Sequence, residues 1–142
     1  MTVRYYLDTN IFIYALEYGA GSGDAARRVF AHIGRGTTLA ATSLLTLGEV
    51  PPRAFREANA ELERAHEALF SGAPGLEIVP VTDDVLRMAA RQVATSKLRL
   101  PDAIHVASAI HAQCDALLSE DTGIRSTDQL PVVRLSDPTF AQ

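Results

Sequence analysis

The chain has 142 residues, of which 47% are hydrophobic and 21% are charged, and its formal net charge is -4. This length and composition predict one compact soluble domain, residues 1–142, with a hydrophobic core of its own. The negative charge argues against a protein that coats nucleic acid through bulk positive charge. No apolar run reaches the roughly 20 residues that a membrane span needs, so we expect a cytoplasmic protein without a membrane partner.

Short apolar and β-branched stretches alternate along the chain with segments of helical periodicity. Strands are predicted at 3–7, 37–42, 76–81, 116–119 and 132–135. Helices are predicted at 11–16, from a cap at Asp24 to about 33, from a cap at Ser43 through Glu49, at 53–70, from a cap at Thr82 to about 96, and at 101–113. This alternation predicts an α/β fold with a central, mainly parallel sheet of four to five strands flanked by helices.

Two consecutive prolines, Pro51 and Pro52, interrupt the third helical segment. Because proline lacks an amide donor and disfavours helical geometry in the residue before it, one helix should end here and another should begin. In the helix that follows, apolar side chains recur at helical spacing and predict one stripe facing the core. The stripe consists of Phe55, Ala58, Leu62, Ala65 and Leu69.

Four acidic residues stand where an apolar stretch gives way to a turn or a helix: Asp8, Glu49, Asp102 and Asp121. In parallel sheets, sites form beyond the carboxyl ends of the strands, where Asp8 and Asp121 are predicted to lie. Two unit charges about 5 Å apart repel by roughly 3 kcal/mol at an effective dielectric constant near 20. A cluster of four carboxylates therefore needs protons or cations, and its hard oxygen atoms favour one or two Mg²⁺ or Mn²⁺ ions over zinc.

The segments around these acids resemble the motifs of PIN-domain nucleases. The resemblance rests on four blocks in the family's order: residues 6–11 (YLDTNI), 43–50 (SLLTLGEV), 100–109 (LPDAIHVASA) and 117–121 (LLSED). Within that family the chain is most similar to the VapC toxins of toxin-antitoxin pairs. The resemblance implies a metal-dependent endoribonuclease, often a homodimer, which a cognate antitoxin protein holds inactive. The Pro51-Pro52 pair departs from the pattern, because the helix after the family's glutamate would otherwise continue.

Phosphodiester hydrolysis gives the four acids distinct tasks. A divalent metal can activate water, offset phosphate charge and stabilise the departing oxygen. We expect Asp8 to be the central metal ligand, with Asp102 and Asp121 completing the set directly or through water. Glu49 is expected to hold a water on the metal or to accept its proton.

Neighbouring residues could support this chemistry, although each also has a simpler structural explanation. Hydroxyl and amide groups that could orient water or the acids are those of Thr9, Asn10, Ser119 and Thr122, but such groups more often bond to nearby backbone. Cations that could contact RNA phosphates, or simply form a solvated face, are Lys97, Arg99, Arg87, Arg91 and Arg125. An apolar surface around Ile11, Phe12, Tyr14 and the 55–70 helix could bind a partner or serve as core. His105 and His111, six residues apart, do not form a ligand pair and are expected to be core or surface residues.

Two other functions fit parts of the pattern. A phosphatase with an aspartyl nucleophile would also have an aspartate such as Asp8 after its first strand. Such enzymes have an Asp-x-Asp motif there, whereas in this chain Asn10 replaces the second aspartate. A catalytically silent PIN-like binding or scaffold domain is the remaining alternative. The presence of all four acids argues against it.

Overall fold

The centre of the protein is a sheet of five parallel strands. The structure is a computed structural model that describes residues 2–71, 73–137 and 140. The strands are β1 (Arg4–Leu7), β2 (Leu39–Ser43), β3 (Leu76–Val79), β4 (Ala116–Leu118) and β5 (Val132–Val133), in the sheet order β3-β2-β1-β4-β5. Each neighbouring pair is parallel. The prediction of an α/β fold with a parallel sheet is therefore confirmed, although the strands are shorter than predicted.

Helices occupy most of the chain between the strands. They are α1 (Thr9–Glu17), α2 (Ser22–Gly34), α3 (Thr46–Glu49), α4 (Pro52–Arg56), α5 (Ala60–Phe70), α6 (Asp83–Thr95) and α7 (Leu100–His111). Among the described residues, no helix has both the length and the apolar character needed to cross a bilayer.

Side chains of β1 alternate between two cores, one on each face of the sheet. Tyr5 and Leu7 pack with Phe12 of α1 and Val29 of α2. Tyr6, which is fully buried, faces the opposite way into the core that α7 covers. Since side chains alternate with a period of two along a strand, a four-residue strand suffices to hold the sheet between two helical layers.

Two of the predicted helix caps are wrong. The N-cap of α2 is Gly21, so Asp24 lies in the first turn of that helix, where it pairs with Arg27. Ser43 does not cap α3; its hydroxyl accepts a hydrogen bond from the amide of Leu45 in the turn before the helix. Thr82 does cap α6, as predicted, by accepting from the amide of Val85.

The single helix predicted for 53–70 is also wrong, because the chain breaks between α4 and α5. Ala58 adopts a positive φ of 48°, and the Asn59 side chain then caps a new helix by accepting from the amide of Leu62. The break turns the first part of the predicted stripe away from the core, so that Phe55 is 62% exposed. A helix does begin at Pro52, as the proline pair predicts.

Candidate active site

Asp8 lies at the carboxyl end of the central strand. Its amide donates to the carbonyl of Leu118 (3.0 Å), which extends the β1–β4 ladder by one residue. Asp8 is buried, and its side chain is only 7% exposed. Its Oδ1 accepts from the Thr9 amide (2.8 Å) as the N-cap of α1, and its Oδ2 accepts from the Ser119 hydroxyl (2.6 Å). Asp8 thus caps a helix and presents an oriented carboxylate to the sheet edge.

Asp121 follows the neighbouring strand, β4, in a tight turn. The hydroxyl of Ser119 accepts from the Asp121 amide (3.0 Å) while donating to Asp8, so one side chain connects both acids. Asp121 Oδ1 accepts from the amide of Gly123 (2.8 Å). A Cβ at Gly123 would lie 3.1 Å from that oxygen, so a larger residue at this position would require the Asp121 carboxylate to shift slightly.

Asp102 is the acid whose pKa responds to the charges of the other three. It lies in the first turn of α7. Burial raises the pKa of this carboxyl group above its usual value, and the negative charges of Asp121, Asp8 and Glu49 raise it further, against an opposing effect of His105. The charges of the other three acids, each from a separate segment of the chain, thus act on Asp102.

Glu49 is held by a histidine that sequence analysis did not connect with the site. His105 Nε2 lies 2.6 Å from Glu49 Oε1 and 3.8 Å from Asp8 Oδ1. The Thr9 hydroxyl donates to the same Glu49 oxygen (2.7 Å). Burial by itself raises the pKa of Glu49, but the hydrogen bonds from His105 and Thr9 outweigh it, and the net shift is downward. Glu49 therefore favours its ionised form.

His105 is itself fixed by a tyrosine of the central strand. Its Nδ1 lies 2.6 Å from the Tyr6 hydroxyl, and both side chains are buried. Burial, with a contribution from the charge of Asp8, raises the pKa of Tyr6 far above the usual phenol value, so the hydroxyl keeps its proton. When that hydroxyl donates to Nδ1, the ring proton lies on Nε2 and points to Glu49. The spacing of His105 three residues after Asp102 was the available sequence signal, since such residues share a helix face.

The remaining predicted residues are distributed unevenly around the acids. Thr9 and Ser119 contact them directly, and the side-chain oxygen of Asn10 lies 3.5 Å from the amide of Glu120 as its acceptor. Thr122 is exposed in the turn. The predicted RNA contacts, Lys97, Arg99, Arg87, Arg91 and Arg125, are all exposed. Within the described residues, the only one of these cations in an ion pair is Arg87, which pairs with Asp83.

The acids suit a divalent cation by their chemistry and by their mutual repulsion. In residues 2–71, 73–137 and 140, no three acid, histidine or cysteine side chains are already gathered as a ligand set. However, burial and the nearby negative charges of Asp121, Asp8 and Glu49 together raise the pKa of Asp102, against the opposing effect of His105. Carboxylate oxygens are the ligands that Mg²⁺ and Mn²⁺ prefer, so the donor set fits these ions.

Comparisons with known proteins agree with this fold. The chain is similar to VapBC2 from Rickettsia felis bound to a promoter DNA fragment, with 16% identity and a TM-score of 0.72 over 93% of this chain and 98% of that one. It is also similar to a toxin-antitoxin complex from Klebsiella pneumoniae, with 24% identity and a TM-score of 0.69 over 92% of this chain and 97% of that one. A third similar structure is VapC20 from Mycobacterium tuberculosis, a sarcin-ricin-loop-cleaving toxin, with 18% identity and a TM-score of 0.67 over 83% of this chain and 90% of that one. No curated protein matches the sequence significantly. The family model for the PIN domain matches residues 5–130. The chain therefore belongs to the PIN-domain family.

Proposed function

We propose that this PIN domain is a Mg²⁺- or Mn²⁺-dependent endoribonuclease and the toxin of a VapBC-type toxin-antitoxin pair. The observation that carries the proposal is the arrangement of acids at the carboxyl edge of the sheet, where Ser119 connects Asp8 to the Asp121 turn and His105 Nε2 lies 2.6 Å from Glu49 Oε1 and 3.8 Å from Asp8 Oδ1. A hydrolytic site for a polyanionic substrate needs a cation at such a place, because carboxylates alone would repel the phosphate. The likeness to toxin structures supports the substrate class, since one of them is a toxin that cleaves the sarcin-ricin loop.

Each acid has a task that follows from its contacts. Asp8, Asp102 and Asp121 would hold one or two metal ions, with Asp8 as the central ligand because its orientation is fixed from both sides. A bound divalent cation supplies Lewis acidity and offsets the charge of the scissile phosphate. Glu49, kept ionised by His105 and Thr9, positions the attacking water and accepts its proton.

The exposed cations are proposed to guide the RNA. Lys97 and Arg99 directly precede the helix that carries Asp102, and Arg125 follows the turn that carries Asp121. Arg87 and Arg91 lie one turn apart on α6, which packs against α7. Phosphate contacts of this kind fix position and orientation, whereas base contacts determine sequence preference.

The proposed partners are a cognate antitoxin and, in a homodimer, a second copy of the chain. Two of the similar structures are described as toxin-antitoxin assemblies. The apolar surface predicted around Ile11 and Phe12 is not available for a partner, because both side chains are fully buried. The exposed apolar candidate is instead Phe55, which lines a groove with Pro51 and Phe70.

Cleavage of structured RNA by the purified, antitoxin-free chain tests the proposal. We expect Mg²⁺- or Mn²⁺-dependent cleavage that EDTA abolishes and that Asp8→Asn and Asp102→Asn each reduce to background. Asp84→Asn is the matched control, because this acid is exposed on α6 and should leave the rate unchanged. Cleavage that persists in EDTA, or in either site variant, would refute the mechanism. Absence of cleavage together with RNA binding would favour the silent binding domain.

A further inference from the structure

Arg134 holds the turn that carries Asp121. It directly follows β5, and its guanidinium group donates to three backbone carbonyls of that turn. The distances are 2.6 Å from Nη1 to Ser119 O, 2.9 Å from Nη1 to Asp121 O and 3.3 Å from Nη2 to Ile124 O. A single half-buried side chain therefore gathers carbonyl groups spread over six residues.

The register of the last strand places the arginine there. β4 and β5 pair in parallel with Leu118 beside Val133, and the Ser119 amide donates to the Val133 carbonyl (3.0 Å). The register therefore places the next residue, Arg134, beside Ser119. A second contact follows at once, because the Leu135 amide donates to Glu120 Oε1 (2.5 Å). Although β5 is only two residues long, the two residues that follow it both form hydrogen bonds with the turn.

The chemistry of the contact favours arginine over other residues. A guanidinium group offers five donors in a rigid planar fork, whereas an ammonium group presents three donors at one point on a flexible stem. The planar guanidinium group can therefore donate from two nitrogen atoms to three carbonyl groups at once. The positive charge also strengthens the hydrogen bonds to the three carbonyl oxygens, because a charged donor binds such an acceptor more strongly than a neutral one.

The effect of this contact extends to both acids through Ser119. That residue gives its carbonyl to Arg134, while its hydroxyl donates to Asp8 and accepts from the Asp121 amide. Movement of the Ser119 backbone would therefore shift the two carboxylates relative to each other. Residues that orient metal ligands in this way usually change metal affinity by about 10- to 100-fold when they are replaced.

We propose that Arg134 is a positioning residue that sets the spacing of Asp8 and Asp121 for a divalent cation. The proposal rests on the proposed function, in that it takes these acids to be the metal ligands. Arg134 does not touch substrate; it acts through the backbone of the turn.

The test compares Arg134→Gln, Arg134→Lys and the control Arg35→Gln, which replaces an exposed arginine at the C-cap of α2, in the antitoxin-free chain. Mn²⁺ binding is measured by electron paramagnetic resonance of the free ion, without RNA, and kcat and KM are measured with RNA. We expect Arg134→Gln to weaken Mn²⁺ binding about tenfold or more and to lower kcat with little change in KM. Arg134→Lys should restore part of the affinity, and Arg35→Gln should bind Mn²⁺ and cleave RNA like the parent.

The outcomes separate this proposal from the proposed function. Mn²⁺ affinity within about twofold of the parent in Arg134→Gln would overturn the role of Arg134, even if RNA cleavage is observed. If Arg134→Gln does not fold, Arg134→Lys decides, with unchanged affinity overturning the proposal and reduced affinity supporting it. A parent that binds Mn²⁺ but cleaves no RNA would overturn the proposed function alone. A parent that binds no Mn²⁺ would overturn both.

Discussion

The hydrogen bond between Tyr6 and His105 should contribute measurably to stability, and a double-mutant cycle isolates its contribution. The hydroxyl and Nδ1 lie 2.6 Å apart between side chains that are 0% and 1% exposed. Removing one partner of a buried hydrogen bond costs about 1–3 kcal/mol, because the other is left without compensation for lost water. Tyr6→Phe should cost about this much, and His105→Leu should cost more, because it also removes the contact between Nε2 and Glu49. The double variant should be less destabilised than the sum by about 1 kcal/mol or more.

Two nearby serines can partly compensate the Tyr6 hydroxyl when His105 is removed. The Ser108 hydroxyl makes no hydrogen bond of good geometry within the described residues, but Ser108 and Ser43 both lie close enough to the Tyr6 hydroxyl to lower its pKa. We therefore expect these serines to offset only part of the loss in His105→Leu.

Urea unfolding followed by far-ultraviolet circular dichroism, with EDTA present, gives the four free energies of the cycle. His111→Leu is the matched control, because it makes the same substitution at an exposed position of the same helix and should change stability by less than about 0.5 kcal/mol. A coupling energy below about 0.5 kcal/mol, which is the usual limit of additivity, would refute the reasoning.

Three further substitutions test other parts of the structure. Asp102→Asn should stabilise the metal-free chain at neutral pH, because the raised pKa of Asp102 means that its ionised form is less favourable in the folded state than in the unfolded state. This gain in stability should disappear as the pH falls below the usual carboxyl pKa. Melting curves in EDTA, at neutral pH and at a pH below that value, check this. Ala58→Gly should stabilise the fold by about 0.5–1 kcal/mol in urea unfolding, since its φ of 48° is unfavourable for any residue with a Cβ; a loss would contradict this. Gly23→Ala should destabilise by about 1–3 kcal/mol, because the new Cβ would lie 2.3 Å from the Tyr18 carbonyl oxygen. Gly34→Ala, with open space around the Cβ, should not destabilise, and equal effects at the two glycines would argue against the close contact.

Local signals in the sequence predicted the elements that local physics determines. The apolar run before Asp8, the Thr82 cap and the proline at the start of α7 each act on neighbouring residues, and the structure shows all three where they were expected. The acids could be predicted to converge because parallel strands bring their carboxyl ends to one edge. Their convergence on Asp102 is what the structure adds.

The features that escaped prediction depend on partners distant in the chain or on weak local signals. His105 meets Tyr6 across 99 residues of sequence, and Arg134 meets Ser119 only because β5 adopts its register beside β4. The break after α4 has a different cause. It contains no glycine or proline, and its only signal is Asn59, a good N-cap residue in the middle of an apparently continuous helical stripe.

The position of β1 in the sheet determines when the proposed site can come into existence. This strand precedes the other four in the chain, yet one of its two neighbours, β4, lies more than a hundred residues later, and the Asp8 amide donates to the Leu118 carbonyl of that strand. Pairing between such distant segments requires a large loop to close, which slows folding. A chain interrupted before residue 116 would carry Asp8, Glu49 and Asp102 but could not hold them in the folded arrangement. For an RNA-cleaving enzyme, this order would delay activity until the translating ribosome has nearly finished the domain.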